Sequence, residues 1–157
     1  TLAYLTYTAL MDSISLPADS LLVLSLPLID TLIPAGFPSP AADYVQRRID
    51  LNDRLIHDAV ATFFIRASGD SMREAGIHDG SVLVVNSGRP VTHGDIVVAS
   101  VDGKHTVKRL LKVDGRYELH PDNALGDYPV IHVGEELRIF GVVTACIIEF
   151  VRIGKAR

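Results

Sequence analysis

The sequence predicts a mostly β domain that follows an extended N-terminal arm. From residue 62 onward, short runs of β-branched and aromatic residues alternate with turn residues, a pattern typical of strands. Two Asp-Gly pairs between such runs predict tight hairpins. The first 46 residues are rich in proline and contain no lysine or arginine, so we expect them to extend rather than to pack as a domain. A length of 157 residues suits one domain with its own core.

The predicted arm, residues 1–46, carries the whole net charge of −4, because it holds four aspartates and no basic residue. Residues 47–157 hold all 15 basic residues and the remaining 15 of the 19 acidic ones, which cancel. An apolar run at residues 21–29 is shorter than the about 20 residues of a membrane span. We therefore expect a cytoplasmic protein with no membrane attachment, whose apolar arm lies on a protein surface as an added strand. Five prolines disfavour helix in the arm: Pro17, Pro27, Pro34, Pro38 and Pro40.

The segment after the arm is ambiguous. Ser39-Pro40 followed by Asp43 is typical of a helix start, with serine as the N-cap and proline in the first turn. The sequence leaves open either a short helix or an irregular linker up to about residue 58.

Strands are predicted for residues 62–67, 82–85 and 96–101, which are short apolar runs rich in valine, isoleucine and phenylalanine. Asp102-Gly103 and Asp114-Gly115 then suit the positive φ angles of type I′ turns, and together they predict a three-strand meander over residues 95–120. A last apolar stretch at residues 137–151 contains Gly141, where we expect a bulge or bend.

Composition excludes several classes of function. A net charge of −4 shows no basic footprint for nucleic acid. Cys146 is the only cysteine, which excludes an intramolecular disulfide framework and a cysteine-rich zinc site. The six histidines include no His-x-x-x-His pair, and no glycine-rich phosphate-binding loop is present. We expect neither a metal nor a cofactor.

Two segments could carry chemistry. Ser68-Gly69-Asp70-Ser71-Met72 follows a predicted strand, and there a serine can expose its hydroxyl beside free backbone N–H groups. Taken alone, the segment is also an ordinary polar turn. Lys108 lies on the predicted strand after the first hairpin, and alternation does not decide whether it is buried. A buried Lys108 would have a lowered pKa and could accept a serine proton, whereas an exposed one would protect a sheet edge.

In combination, these segments carry a resemblance to a known family. The chain resembles the LexA-like (S24) self-cleaving serine peptidases, and in particular the UmuD group, from about residue 17 to residue 150. The interval of 37 residues between Ser71 and Lys108 matches the Ser/Lys spacing of that family. The motifs that carry the resemblance occur in this order: 36–45 (GFPSPAADYV), 68–72 (SGDSM), 79–80 (DG), 93–97 (HGDIV), 101–103 (VDG) and 106–108 (TVK).

The resemblance implies a site and a substrate. Ser71 would be the nucleophile, Lys108 the general base, and the backbone amides of Ser71 and Asp70 the oxyanion hole. The arm, residues 1–46, would carry the scissile bond Ala35–Gly36, and residues 47–157 would form the LexA-like β-ribbon peptidase domain. The UmuD pattern has cysteine before this glycine, whereas Ala35 is similar to LexA, so we expect an altered rate rather than a loss of cleavage.

The resemblance also implies a setting. The protein would act in the SOS response as a homodimer, and a RecA filament on single-stranded DNA would stimulate its cleavage. The processed form would support translesion synthesis by a UmuC-type Y-family DNA polymerase, without direct sequence-specific DNA binding.

Three alternatives are weighed against this interpretation. A LexA-type repressor needs a DNA-binding helix-turn-helix before the cleavage site, and the acidic, proline-rich arm does not favour one. A type I signal peptidase shares the Ser/Lys pair but needs a membrane anchor. A non-catalytic binding module would hold the serine and the lysine by coincidence.

Overall fold

The structure is a computed structural model that describes residues 24–29, 35, 46–132 and 137–150. The chain divides into two units between Asp50 and Leu51. The first unit contains a two-stranded antiparallel ribbon, and the second contains a seven-stranded antiparallel sheet. The predicted mostly β fold is confirmed. In the part of the chain that the structure describes, no helix is long and apolar enough to span a membrane.

The described strands are numbered in chain order. They are β1 (Ser25–Ile29), β2 (Gln46–Asp50), β3 (Thr62–Arg66), β4 (Val82–Asn86), β5 (Ile96–Val101), β6 (Lys104–Val113), β7 (Arg116–His120), β8 (Ile131–His132) and β9 (Arg138–Ile147). One short α-helix, α1 (Leu51–Leu55), and one 3₁₀ turn (Arg73–Ala75) are the helical elements among the described residues.

The first unit pairs β1 with β2, so that Leu26 faces Ile49 and Leu28 faces Arg47. The guanidinium of Arg48 donates hydrogen bonds to the hydroxyl and the carbonyl oxygen of Ser25 on the opposite strand. Residues 25–29 of the apolar run therefore form a strand, and its partner is a segment of the same chain.

The segment between the arm and the sheet differs from the helix-or-linker expectation. Residues 46–50 are extended in β2, and the helix α1 covers only Leu51–Leu55. The predicted helix start at Ser39-Pro40 lies outside the described residues. The predicted boundary between arm and domain at residue 46 stays a prediction. The strand β2 begins at that residue and belongs to the first unit, which ends at Asp50.

The second unit has the strand order β3-β4-β9-β5-β6-β7-β8. The three strands β5, β6 and β7 form the predicted meander. Both hairpins have positive φ at both central residues, 49° and 74° at Asp102-Gly103 and 48° and 81° at Asp114-Gly115. This is the type I′ geometry that the Asp-Gly pairs predict.

The late strand β9 inserts between β4 and β5 at the centre of the sheet. Val98 pairs with Gly141 and Ala99 with Ile139, so Phe140 is the extra residue of a bulge at the predicted place. A Cβ atom on Gly141 would lie 2.7 Å from the carbonyl oxygen of Asn86, so the close approach of the two strands requires glycine.

Buried side chains lie on both faces of the sheet at β4 and β5, which explains why these two strands are continuous apolar runs. Neighbouring residues of β5 point to different clusters, Val98 to one and Val97 to the other. The first cluster contains Ala67, Met72, Ile77, Leu83, Val85 and Val98, and the second contains Val97, Ala99, Leu110, Leu119 and Val142. The first cluster holds Met72, and it therefore fixes the turn that contains Ser71.

We expect the substitution Gly141→Ala to lower the free energy of unfolding by about 1–3 kcal/mol, because its methyl group would overlap the β4 backbone. Urea unfolding followed by circular dichroism measures this. The control is Val60→Ala, where the side chain is 95% exposed and the change should stay within about 0.5 kcal/mol. Equal unfolding free energies for Gly141→Ala and the wild type would contradict the close approach.

Candidate active site

The candidate nucleophile lies on a turn that leaves β3 and enters the 3₁₀ turn. Gly69 has a φ of +86°, a conformation that favours glycine, and its N–H donates to Asp79 Oδ1 at 2.8 Å. Met72 is buried in the first core cluster. Ser71, between these anchors, is half-buried and faces a cleft. The segment 68–72 is a polar turn, and the anchors on both sides give its serine a fixed position.

Lys108 lies in β6, an interior strand of the sheet, and only 7% of the residue is exposed. Its Nζ atom is 2.7 Å from Ser71 Oγ, 3.2 Å from Thr106 Oγ1 and 3.1 Å from the carbonyl oxygen of Val107. The structure thus answers the question that strand alternation left open, because Lys108 is buried and does not protect an edge.

Burial determines the protonation of Lys108. Desolvation lowers the pKa of its amine from the usual 10.5, because the charged form loses hydration. No carboxylate is among its hydrogen-bond partners in the described part of the chain. A larger fraction of the amine is therefore neutral near physiological pH, and a neutral amine can accept the proton of the Ser71 hydroxyl.

A cleft of about 250 Å³ opens beside this pair. Its lining is mixed, with apolar side chains from the first core cluster and polar groups from the end of β3, the nucleophile turn and the start of β6. The lining residues are Ile65, Arg66, Ala67, Ser68, Gly69, Ser71, Met72, Ile77, Val98, His105, Thr106 and Val107. Ser71 is part of this lining, so a segment bound in the cleft would meet both apolar side chains and polar groups beside the serine.

Further hydrogen bonds connect the turn that holds Ser71 with the strand that holds Lys108. The N–H of Asp122 donates to the carbonyl oxygen of Ser71 at 2.9 Å, and the N–H of Glu74 donates to the carbonyl oxygen of Asp122 at 2.8 Å. The carboxylate of Asp122 accepts from Arg109 Nε at 2.9 Å and also from its Nη2. Arg109 follows Lys108 in β6 and also donates to the carbonyl oxygen of Gly94 at 2.7 Å.

This Arg109–Asp122 contact was not predicted. The two residues are 13 positions apart in the sequence and belong to no common motif, and the link depends on the pairing of β6 with β7. The only sequence signal is the position of Arg109 directly after the candidate base.

The structure places the predicted site residues as follows. Ser71 and Lys108 lie within hydrogen-bond distance, and Asp70 precedes Ser71 on the same turn. Ala35 is exposed, and Gly36 lies outside the described residues. Among the residues that the structure describes, no group of three or more His, Cys, Asp or Glu side chains could hold a metal ion.

The described structure thus combines an antiparallel β sheet with a serine hydroxyl that lies 2.7 Å from the amine of a buried lysine. Comparison with known families matches residues 27–144 to the family described as Peptidase S24-like. That match covers most of the chain, and the chain belongs to the Peptidase S24-like family.

Individual relatives agree with this assignment. Protein SamA of Salmonella typhimurium is 51% identical over 121 residues, which cover 77% of this chain and 84% of that protein. Protein MucA of Escherichia coli is 43% identical over 128 residues, with 80% and 86% covered. The LexA repressor of Cupriavidus taiwanensis is 36% identical over 138 residues, with 88% and 63% covered. SamA and MucA are UmuD-like proteins, so the predicted resemblance is confirmed.

Replacing the buried amine should change how stability depends on pH. Below the folded-state pKa, folding buries an ammonium that the unfolded chain keeps hydrated, and above 10.5 both states are neutral. The free energy of unfolding of the wild type, relative to Lys108→Met, should therefore rise as pH increases toward 10.5. Each unit by which the pKa is lowered corresponds to about 1.4 kcal/mol.

Urea titrations of both proteins at several pH values between neutrality and the usual lysine pKa measure this difference. Other titrating groups affect both proteins equally and cancel. A difference in unfolding free energy that stays constant with pH would contradict a lowered pKa at Lys108.

Proposed function

We propose that the protein is a serine peptidase that cleaves its own N-terminal arm, with Ser71 as nucleophile and Lys108 as general base. The observation that carries the proposal is the 2.7 Å separation of Ser71 Oγ from Lys108 Nζ, with the lysine buried and its pKa lowered by desolvation. A nucleophile and a base within hydrogen-bond reach are the minimal parts of acyl-transfer chemistry. Membership in a peptidase family supports the same reaction class.

The proposed reaction has two stages. Neutral Lys108 takes the proton of Ser71, whose Oγ attacks the carbonyl carbon of Ala35 to form a tetrahedral oxyanion. The bond from that carbon to the nitrogen of Gly36 then breaks, and the lysine ammonium gives its proton to the leaving amine. Water, deprotonated by the same amine, hydrolyses the ester on Ser71. A backbone N–H that stabilises the oxyanion contributes about 10²- to 10³-fold to the rate.

The bond Ala35–Gly36 is the proposed substrate. The family resemblance points to it, and Ser71 lines a cleft of about 250 Å³ in which a segment with a small side chain could lie. Alanine is small, like the cysteine that the UmuD pattern has at this position. We therefore expect this chain to be able to cleave itself.

Regulation would act on access to the cleft. When only a fraction of molecules hold the arm in the cleft, the observed rate falls by that fraction. A RecA filament on single-stranded DNA, binding the competent arrangement, would raise it. In this proposal the protein is a cytoplasmic homodimer of the SOS response, and its cleaved form supports translesion synthesis with a UmuC-type polymerase. The family resemblance and the UmuD-like relatives support this setting.

A LexA-type repressor is the second candidate, because one relative is a LexA repressor at 36% identity. The chain covers 63% of that protein, so the match extends over part of the repressor. Specific binding of this chain to a duplex operator in a gel-shift assay would favour the repressor.

The first expected outcome is one cut, between Ala35 and Gly36. Intact mass spectrometry should show a species that begins at Gly36 after incubation with RecA, single-stranded DNA and a nucleotide analogue, or at alkaline pH. Ser71→Ala and Lys108→Ala should reduce the rate at least about 10³-fold, because each removes one member of the pair.

Matched controls separate chemistry from folding. Lys112→Ala changes an exposed lysine of the same strand, and Ser100→Ala changes a serine of β5, so both should cleave as the wild type does. Cleavage that persists in Ser71→Ala, or a different first residue in the product, would refute the assignment.

The second expected outcome concerns pH. The rate of self-cleavage measured without the RecA filament should rise about tenfold per pH unit while Lys108 is mostly protonated, since only the neutral amine accepts a proton. It should level off below pH 10.5, because desolvation lowers the pKa of this amine. Single-turnover mass measurements over a pH series give the profile, and a rate that does not change with pH would exclude Lys108 as the base.

A further inference from the structure

We propose that Asn123 is a positioning residue for this reaction. Its side-chain amide orients the peptide group between Asp70 and Ser71, so that the N–H of Ser71 faces the developing oxyanion. The inference rests on the proposed function and names a residue that neither the sequence motifs nor the Ser/Lys pair includes.

The contacts of one carbonyl group carry the argument. Asn123 Nδ2 donates to the carbonyl oxygen of Asp70 at 2.9 Å, and the N–H of Arg73 donates to the same oxygen at 3.1 Å. In a trans peptide the C=O and the following N–H point in opposite directions. Two donors that hold the Asp70 oxygen therefore also fix the direction of the Ser71 N–H, which points away from the loop that contains Asn123.

The Ser71 N–H is available for a substrate. It donates to no acceptor among the described residues, whereas the N–H groups of Arg73, Glu74 and Ala75 in the following 3₁₀ turn are hydrogen-bonded. Ser71 lines the cleft, so a free donor at this position lies next to the atom that attacks. A donor that is oriented before the reaction stabilises an oxyanion without reorganisation.

The orientation of the Asn123 amide is itself fixed. Its Oδ1 accepts from the N–H of Leu125 at 3.2 Å and from the N–H of Gly126 at 3.1 Å. Because an oxygen must face these two donors, the NH₂ group must face Asp70. Asparagine meets both requirements with one planar group, as an acceptor for its own loop and as a donor for the nucleophile turn.

The loop that contains Asn123 is bonded to the nucleophile turn and the 3₁₀ turn by other contacts besides the Asn123 amide. Asp122 bonds to Ser71 and Glu74 through its backbone, and the N–H of Ala124 donates to Glu74 Oε1 at 2.9 Å. The substitution Asn123→Asp keeps the oxygen that faces Leu125 and replaces the NH₂ group with a carboxylate oxygen. It should therefore preserve the loop and place a repulsive oxygen beside the Asp70 carbonyl.

The test uses the full chain with Asn123→Asp, Asn123→Ala and the control Leu125→Ala, whose side chain is 99% exposed. Two readouts are compared. One is the rate of self-cleavage over a pH series. The other is the affinity for acetyl-Ile-Pro-boroAla, a peptide boronic acid with the side chains of residues 33–35. Its boron bonds to Ser71 Oγ as the hydroxyl proton passes to Lys108, and a boron-bound hydroxyl then occupies the oxyanion position.

Asn123→Asp should cleave about 10- to 100-fold more slowly than the wild type at every pH, with the same apparent pKa, and should bind the boronic acid weaker by a similar factor. A merely structural role would shift the midpoint of the pH profile or would leave Asn123→Asp active and only Asn123→Ala impaired. Leu125→Ala should match the wild type in both readouts.

The results separate the two proposals. If the wild type binds the boronic acid but never cuts itself, the proposed substrate is wrong, and the boronate affinities alone decide the role of Asn123. If Asn123→Asp and the wild type bind the boronic acid with equal affinity and cleave at equal rates, the positioning role of Asn123 is wrong. The proposal of self-cleavage is then unaffected. A wild type that neither binds nor cuts overturns both.

Discussion

The burial of the Lys108 amine beside the Ser71 hydroxyl is the constraint on which the rest of the site depends. An amine in water stays protonated at neutral pH and cannot act as a base. Burial on an interior strand lowers its pKa, and the partners at its nitrogen are a hydroxyl, a second hydroxyl and a carbonyl, none of which carries charge. A carboxylate in their place would stabilise the ammonium and remove the basicity. The choice of neutral partners is therefore as important as the burial.

A pair of this kind also needs a fixed distance, and the fold supplies it from two directions. Met72 anchors the nucleophile turn in the first core cluster, while the backbone of Asp122 brackets the same turn from the other side. The carboxylate of Asp122 returns to Arg109, the neighbour of the candidate base. Serine and lysine are thereby held by one hydrogen-bonded frame that spans β6, the loop after β7 and the 3₁₀ turn, rather than by their mutual contact alone.

Features that depend on local sequence could be predicted, and features that depend on distant pairing could not. The hairpins at Asp102-Gly103 and Asp114-Gly115 follow from turn chemistry, and β3, β4 and β5 follow from apolar runs. The strand β2 has a single β-branched residue, Ile49, and exists through its pairing with β1. The burial of Lys108 could not be predicted from alternation, because the opposite face of β6, with Val107, Arg109 and Leu111, is the more apolar one in the sequence. Arg109 meets Asp122, and Asn123 meets Asp70, only in the folded chain.

Ser71 and Lys108 already lie within hydrogen-bond distance, so in the proposed function control of the reaction would not require these two groups to move into place. In the proposed function two separate factors then multiply: the fraction of molecules with a neutral Lys108, and the fraction with the arm in the cleft. Each tenfold reduction in either factor raises the apparent barrier by about 1.4 kcal/mol. The protonation factor is set by the local surroundings of one nitrogen, and an arm that excludes water from that nitrogen would lower its pKa further. A stimulating filament can act through the access factor by binding one arrangement of the arm, and it then needs no contact with Ser71 or Lys108.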